Sequence, residues 1–193
     1  MSDEQLARIQ AQLRESAAVK ERTAEVCAHQ IAMAASIIVD TYRWGRKVLL
    51  CGNGGSAADA QHIAGELVAK LGRERPALAA IALTGNSSLF TALVNDGDQE
   101  RVFARQVEAL GQRGDVLIAI STSGNSPNVN RAACVARDKG LNIIALTGKN
   151  GGELVSYANV SIIIPSENTQ RIQEGHITVG HILCDLVEVA LFD

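Results

Sequence analysis

Five short apolar runs, each followed by helix-forming residues, leave this chain very few ways to fold. The runs lie at residues 47–51, 78–83, 116–120, 142–146 and 160–164, each the length of a buried strand. Helical segments fall between them, at 57–71, at 87–94 with 100–110, at 129–139 and, briefly, at 153–157. A last helix is predicted over about 170–192. Such alternation means parallel strands joined by right-handed crossovers, hence a doubly wound α/β sheet. Composition agrees: 47% of the residues are hydrophobic but 3% aromatic, so the core must rest on Ala, Val, Leu and Ile. That suits helices packed closely on a parallel sheet. With 193 residues and no linker-like stretch, one domain over 1–193 is expected.

The first 45 residues stand outside the alternation. Leu6, Ile9 and Leu13 repeat at helical spacing behind a cap at Ser2 or Asp3, and a second periodic run from Val26 to Tyr42 ends at Gly45. This reads as two leading helices. A monomer's sheet layer cannot easily bury both, so the pair is expected to pack across an interface between copies.

Chemistry concentrates after the first run. The apolar Val48-Leu49-Leu50-Cys51 leads into the turn Gly52-Asn53-Gly54-Gly55-Ser56 and then into a helix. Free N–H groups and the helix dipole make such a turn an anion site. It is not a P-loop, for it lacks Gly-Lys-Ser/Thr, and Leu83-Thr84-Gly85 stands where a dinucleotide fold wants an acid for the ribose. Deeper in the helix, His62 and Glu66 are four apart and share a face. The pair can grip a divalent metal, act as acid and base, or be an ordinary exposed helix pair.

A second turn echoes the first with hydroxyls in place of glycines. Ser121, Thr122, Ser123 and Ser126 fall within six residues before Pro127, which is set for the first position of a helix. A capped helix start needs fewer hydroxyls than this. Four of them with free amides suit a phosphate dianion without Lys or Arg. The turn follows a strand at its carboxyl end, where open α/β sheets bind ligands. Asn95-Asp96-Gly97 is good turn chemistry that can also reach a ligand hydroxyl, whereas residues 147–152 read as a plain loop. In the last helix His181 sits among apolar neighbours, the usual setting of a core or interface histidine, and His176 and His29 read as structural or surface residues.

Several function classes are disfavoured. A net charge of −3 without a basic block argues against broad nucleic-acid binding. Cys27, Cys51, Cys134 and Cys184 are scattered in apolar contexts and read as buried free thiols. Residues 1–4 are polar with no signal-like segment behind them, and no run approaches the ~18 apolar residues of a membrane span. No membrane association is expected, and a cytoplasmic location follows as the default.

CGNGGSAADAQHIAGE, ISTSGNSPNV, ALTGKNGG and RIQEGHITVGHILCDLVE together resemble the sugar isomerase (SIS) domain family, in its phosphoheptose isomerase branch, over nearly the whole chain. The resemblance implies a flavodoxin-like five-stranded parallel sheet and a homotetramer. It implies conversion of sedoheptulose 7-phosphate to D-glycero-D-manno-heptose 7-phosphate, the first step of lipopolysaccharide heptose synthesis. It implies sugar-phosphate contacts at Asn53, Gly54, Gly55, Ser56, Asn95, Asp96, Ser121, Thr122, Ser123, Ser126 and Gln173. It also implies one zinc per subunit at His62, Glu66, Gln173 and His181, with Glu66 as base and His181 as acid. Where some members carry an acid, this chain has Gln170. The family also holds binding-only members, including one associated with the replication initiator, and sugar-phosphate sensor domains. Gln173 and His181 are eight apart, about 12 Å along one helix, so both cannot easily reach one ion. Either Gln173 precedes the helix or different subunits contribute, and a site at a subunit junction, with Glu66 and His181 from different copies, is expected.

Overall fold

A computed structural model describes residues 2–193. Its first element, α1, is one continuous helix over Asp3–Arg43. The two leading helices expected from the sequence are therefore one. The reason is plain in retrospect: nothing between Asp3 and Arg43 is Gly or Pro, so no residue breaks the backbone ladder between the two periodic runs. Ser2 starts the helix with a reciprocal capping box, its Oγ accepting the Gln5 N–H and the Gln5 side chain accepting the Ser2 N–H. The early turns expose Leu6, Ile9 and Leu13, whereas Ile31, Ala34, Ala35, Ile38 and Val39 are buried.

From residue 48 the chain alternates as predicted: β1 (Val48–Gly52), α2 (Gly55–Val68), β2 (Ala80–Ala82), α3 (Ser87–Asn95), α4 (Ala104–Leu110), β3 (Val116–Ser121), α5 (Pro127–Asp138), β4 (Asn142–Gly148), β5 (Val160–Ile164) and α6 (Thr169–Phe192). Short 3-10 turns lie at Gln99–Arg101 and Glu153–Ser156. All strands are parallel, in the order β2-β1-β3-β4-β5. After β1 the chain moves outward to β2, then returns to place β3 on the other side of β1. That reversal opens a crevice at the carboxyl ends of β1 and β3, the place where such sheets hold ligands.

Strand residues alternate between two cores. Val48, Leu50, Ile118, Ile120, Ile144 and Leu146 face α1, α2 and α6, where Ile38, Ile63, Ile172 and Val179 meet them. Leu49, Cys51, Leu117, Ala119 and Ile143 face α4 and α5, against Phe103, Val107, Ala132 and Ala136. The cysteines are free, and Cys134 is half-buried where burial was expected. By length and composition alone α6 could cross a membrane, for it has 24 residues and an 18-residue stretch of it reaches a mean hydropathy of 1.4. Averaging over the helix hides its amphipathic build, since Ile172, Val179, Leu183 and Val187 pack in the core while Ile182, Leu186 and Phe192 are exposed.

Candidate active site

The crevice is built from two strand-turn-helix corners that emerge side by side, since β1 and β3 pair with Gly52 opposite Ile120. At the first corner Gly54 precedes α2, and no side chain caps the helix. The N–H groups of Ser56 and Ala57 turn back onto the carbonyls of Asn53 and Gly54, at 3.0 and 3.1 Å, which leaves the Gly55 N–H to face a ligand. Gln173, from α6, lies against this start so closely that a Cβ on Gly55 would fall 2.6 Å from Nε2. Glycine at 55 is what lets the carboxamide in. Ser56 is buried beneath the turn. Asn53 reaches across to the second corner, where its amide pairs with that of Asn128 in both directions, each bond 2.9 Å.

At the second corner the hydroxyls have an unexpected arrangement. Ser126 occupies the cap position of α5 yet makes no capping bond, because its Oγ pairs with Ser121 Oγ at 2.9 Å. The helix start stays open. By contrast α1, α3 and α6 begin under side-chain caps from Ser2, Asn86 and Asn168. Ser123 Oγ accepts the Asn125 N–H at 3.1 Å, and Thr122 is half-buried. The backbone of the turn rests on the loop after β4: Gly124 has φ +67°, and a Cβ there would lie 1.8 Å from the Gly151 carbonyl oxygen. Only glycine combines that conformation with that approach. Uncapped amides, convergent hydroxyls and a rigid support make an anion cradle.

The ionisable groups come from α2 and α6, which pack side by side. His62 Nε2 lies 3.0 Å from Glu66 Oε1 and 3.1 Å from His181 Nε2, the two imidazoles meeting edge to face. One ligand atom from each of the three residues lies within 4.8 Å of the others. Two imidazole nitrogens at this distance can share one proton or one cation, but cannot point N–H groups at each other. Two imidazoles and a carboxylate are a donor set used by catalytic zinc sites. The residues therefore fit a divalent metal.

This convergence occurs inside one chain. Glu66 and His181 need no second copy to meet, contrary to the expectation, because parallel crossovers lay α2 and α6 on the same face of the sheet. Gln173 does not precede the helix either; it is the fifth residue of α6, two turns before His181 and packed at the start of α2. Asn95 and Asp96, at the end of α3, bond to each other at 3.3 Å, and no hydrogen bond among the described residues links them to either corner. His29 is exposed. His176 is fully buried, its Nε2 on the Thr147 carbonyl at 3.0 Å. Burial lowers its pKa to about 4, against the raising pull of that carbonyl.

Two residues here escape the sequence reading. Asn128 is one, signalled only by following Pro127 in a turn already singled out. Asp59 is the other, one turn before His62 on the same face of α2. Its Oδ2 is buried without a partner, and burial raises its pKa, against the lowering pull of His62.

Comparison with known proteins gives one consistent picture. The profile of the SIS domain matches residues 13–148. A phosphoheptose isomerase of Aquifex aeolicus is 57% identical over 175 residues, 91% of this chain and 92% of the relative. A solved phosphoheptose isomerase from Francisella tularensis superposes with a TM-score of 0.92 at 40% identity, covering 98% of this chain and 100% of that one. Another from Neisseria gonorrhoeae gives 0.90 at 40% identity, covering 95% and 98%.

Proposed function

The chain belongs to the SIS-domain family, in its phosphoheptose isomerase branch, and we propose that the crevice between β1 and β3 interconverts sedoheptulose 7-phosphate and D-glycero-D-manno-heptose 7-phosphate through an enediol. The observation that carries this is the meeting of His62, Glu66 and His181 within 4.8 Å, on α6 and on the helix launched from the strand beside the uncapped, hydroxyl-lined turn. A ketose–aldose exchange moves one proton between adjacent carbons and one between their oxygens. It needs a base, an acid and a fixed substrate.

Ser121, Thr122, Ser123 and Ser126, with the free amides of α5, hold the phosphate. Asn53, Gly54, Gly55, Ser56 and Gln173 then line the path of the sugar from that anchor toward α2 and α6, and Asn95 and Asp96 contact it from α3. Glu66, whose Oε1 lies at His62, offers its second oxygen to the C1 proton of the ketose. The proton leaves to the carboxylate, the C1–H electron pair forms the C1–C2 double bond, and the carbonyl oxygen takes a proton from His181. Return of a proton to C2, with loss of the O1 proton, completes the aldose. A zinc ion bound by His62, Glu66 and His181 would polarise the carbonyl as a Lewis acid. Gln173, the fourth ligand of that set, lies two turns before His181 on α6, against the start of α2.

The fold serves as one domain, with the exposed first turns of α1 packing in a homotetramer. The reaction belongs in the cytoplasm, at the first step of ADP-heptose synthesis for lipopolysaccharide. Incubation with sedoheptulose 7-phosphate, followed by NMR, should give an aldoheptose phosphate; a phosphate binder with no turnover would sink the proposal.

A further inference from the structure

The segment after α2 is held by a charged pair that the reaction itself does not use. Arg75 Nε and Glu188 Oε1 are 2.7 Å apart, and the two side chains are 0% and 2% exposed. Two buried charges are unfavourable unless their remaining donors and acceptors are satisfied. Here they are. Glu188 Oε1 also accepts the Leu71 N–H at 2.7 Å, and Oε2 accepts that of Gly72 at 3.1 Å. Arg75 donates from Nη2 to the Glu66 carbonyl at 2.8 Å, and from Nη1 to the carbonyls of Leu67 at 2.9 Å and Pro76 at 3.1 Å. Glu66 and Leu67 lie in the last turn of α2, whose carbonyls lack partners within the helix. A guanidinium there caps the helix and meets the negative end of its dipole.

Position gives this pair its meaning. Glu188 lies two turns beyond His181, on the same face of α6. His181 meets His62, and Glu188 reaches, through Arg75, the backbone of Glu66. The two helices are thus tied at two neighbouring levels, once by the ionisable cluster and once by the buried pair. Glu66 is held at both ends, its carboxylate by His62 and its carbonyl by Arg75. A slide of the last turn of α2 along α6 would open the cluster, and the buried pair is what resists that slide.

We propose that Arg75 and Glu188 are positioning residues for the cluster, fixing α2 against α6 so that His62, Glu66 and His181 meet around one divalent ion. The proposal rests on the metal reading above. A second ion pair, half-buried on its lysine side, serves as the control: Lys47 Nζ and Asp115 Oδ2 are 2.7 Å apart just before β1 and β3, between loops that touch neither α2 nor α6 through this pair.

The test is Co2+ affinity, by competition with a chromophoric chelator on metal-stripped protein, alongside the melting temperature of that stripped protein. Glu188→Gln and Arg75→Lys should each weaken Co2+ about 10–100-fold, the usual cost of losing support behind a metal ligand. Asp115→Asn should lower the melting temperature but leave Co2+ affinity within about twofold, since its pair lies away from the cluster. Should Glu188→Gln fail to fold, Arg75→Lys carries the same reading, because it keeps the charge and loses the fork to the Glu66 and Leu67 carbonyls. Unchanged Co2+ affinity in a folded Glu188→Gln or Arg75→Lys protein overturns the positioning role. Equal weakening in Asp115→Asn overturns it too, by making the effect one of general stability. If the unaltered protein binds no Co2+, the metal reading itself falls, and this proposal with it.

Discussion

The two corners of the crevice follow one plan and divide the work. Each is a strand, a turn and an uncapped helix, and they stand side by side on neighbouring strands. The corner after β1 is mostly bare backbone. Its glycines let Gln173 approach, and its reactive groups lie deeper, on the helix it launches and on α6. The corner after β3 carries its groups in the turn itself, where Ser126 gives up its capping role to pair with Ser121. The difference teaches that one backbone motif can serve as a binding cradle or as the entrance to a reactive cluster. Which it becomes depends on where the polar side chains sit.

Changes at each corner should therefore separate chemistry from binding. The largest effect is expected for Glu66→Gln, with turnover falling about 10³-fold as befits loss of a general base, while inorganic phosphate still competes for the cradle as before. Equal loss of both in a steady-state assay would erase the division. Replacing Ser121 and Ser126 together by Ala should raise KM for the sugar phosphate about 10–100-fold, from hydrogen bonds to a charged group, with Co2+ affinity intact. A change in kcat with no change in KM would contradict that assignment.

A smaller effect belongs to neither corner. His176 sits in the core under β4, with a folded pKa of about 4 set by burial. The unfolded chain takes up that proton near pH 6.5. Its contribution to stability is thus complete above about pH 6.5 and is lost progressively as pH falls toward about 4, to a total on the order of 3 kcal/mol. Melting temperature should fall over that window, and His176→Asn should flatten that part of the profile; an unchanged profile in the variant would argue against the assignment. Smallest of all, Asn128→Ala should raise KM about two- to fivefold by freeing Asn53, since a single exposed hydrogen bond contributes only ~1 kcal/mol. A drop in kcat alone would place Asn128 elsewhere in the mechanism.

Much of this was legible in the sequence because the signals are local. Periodicity located the strands, and β5 falls on the predicted residues. The hydroxyl turn announced itself by composition, and His62 with Glu66 by a four-residue spacing. What stayed hidden depends on packing between distant segments. No local feature says that His181 meets His62 across 119 positions, that Ser126 turns away from its helix, or that Arg75 reaches Glu188. The fusion of the two leading helices was hidden differently: the largely polar residues 14–25 interrupt the hydrophobic period and look like a break, although none of them ends a helix. The membrane-like average of α6 is the reverse case, since averaging discards the amphipathic pattern that seats it in the core.

The most direct test of the central claim, proton transfer through an enediol by Glu66, is isomerisation run to equilibrium in D2O with NMR of the product. Deuterium should enter at C2 of the aldose with the unaltered protein, and both product and label should be lost in Glu66→Gln. Product formed without any deuterium, or unchanged labelling in that variant, would contradict it.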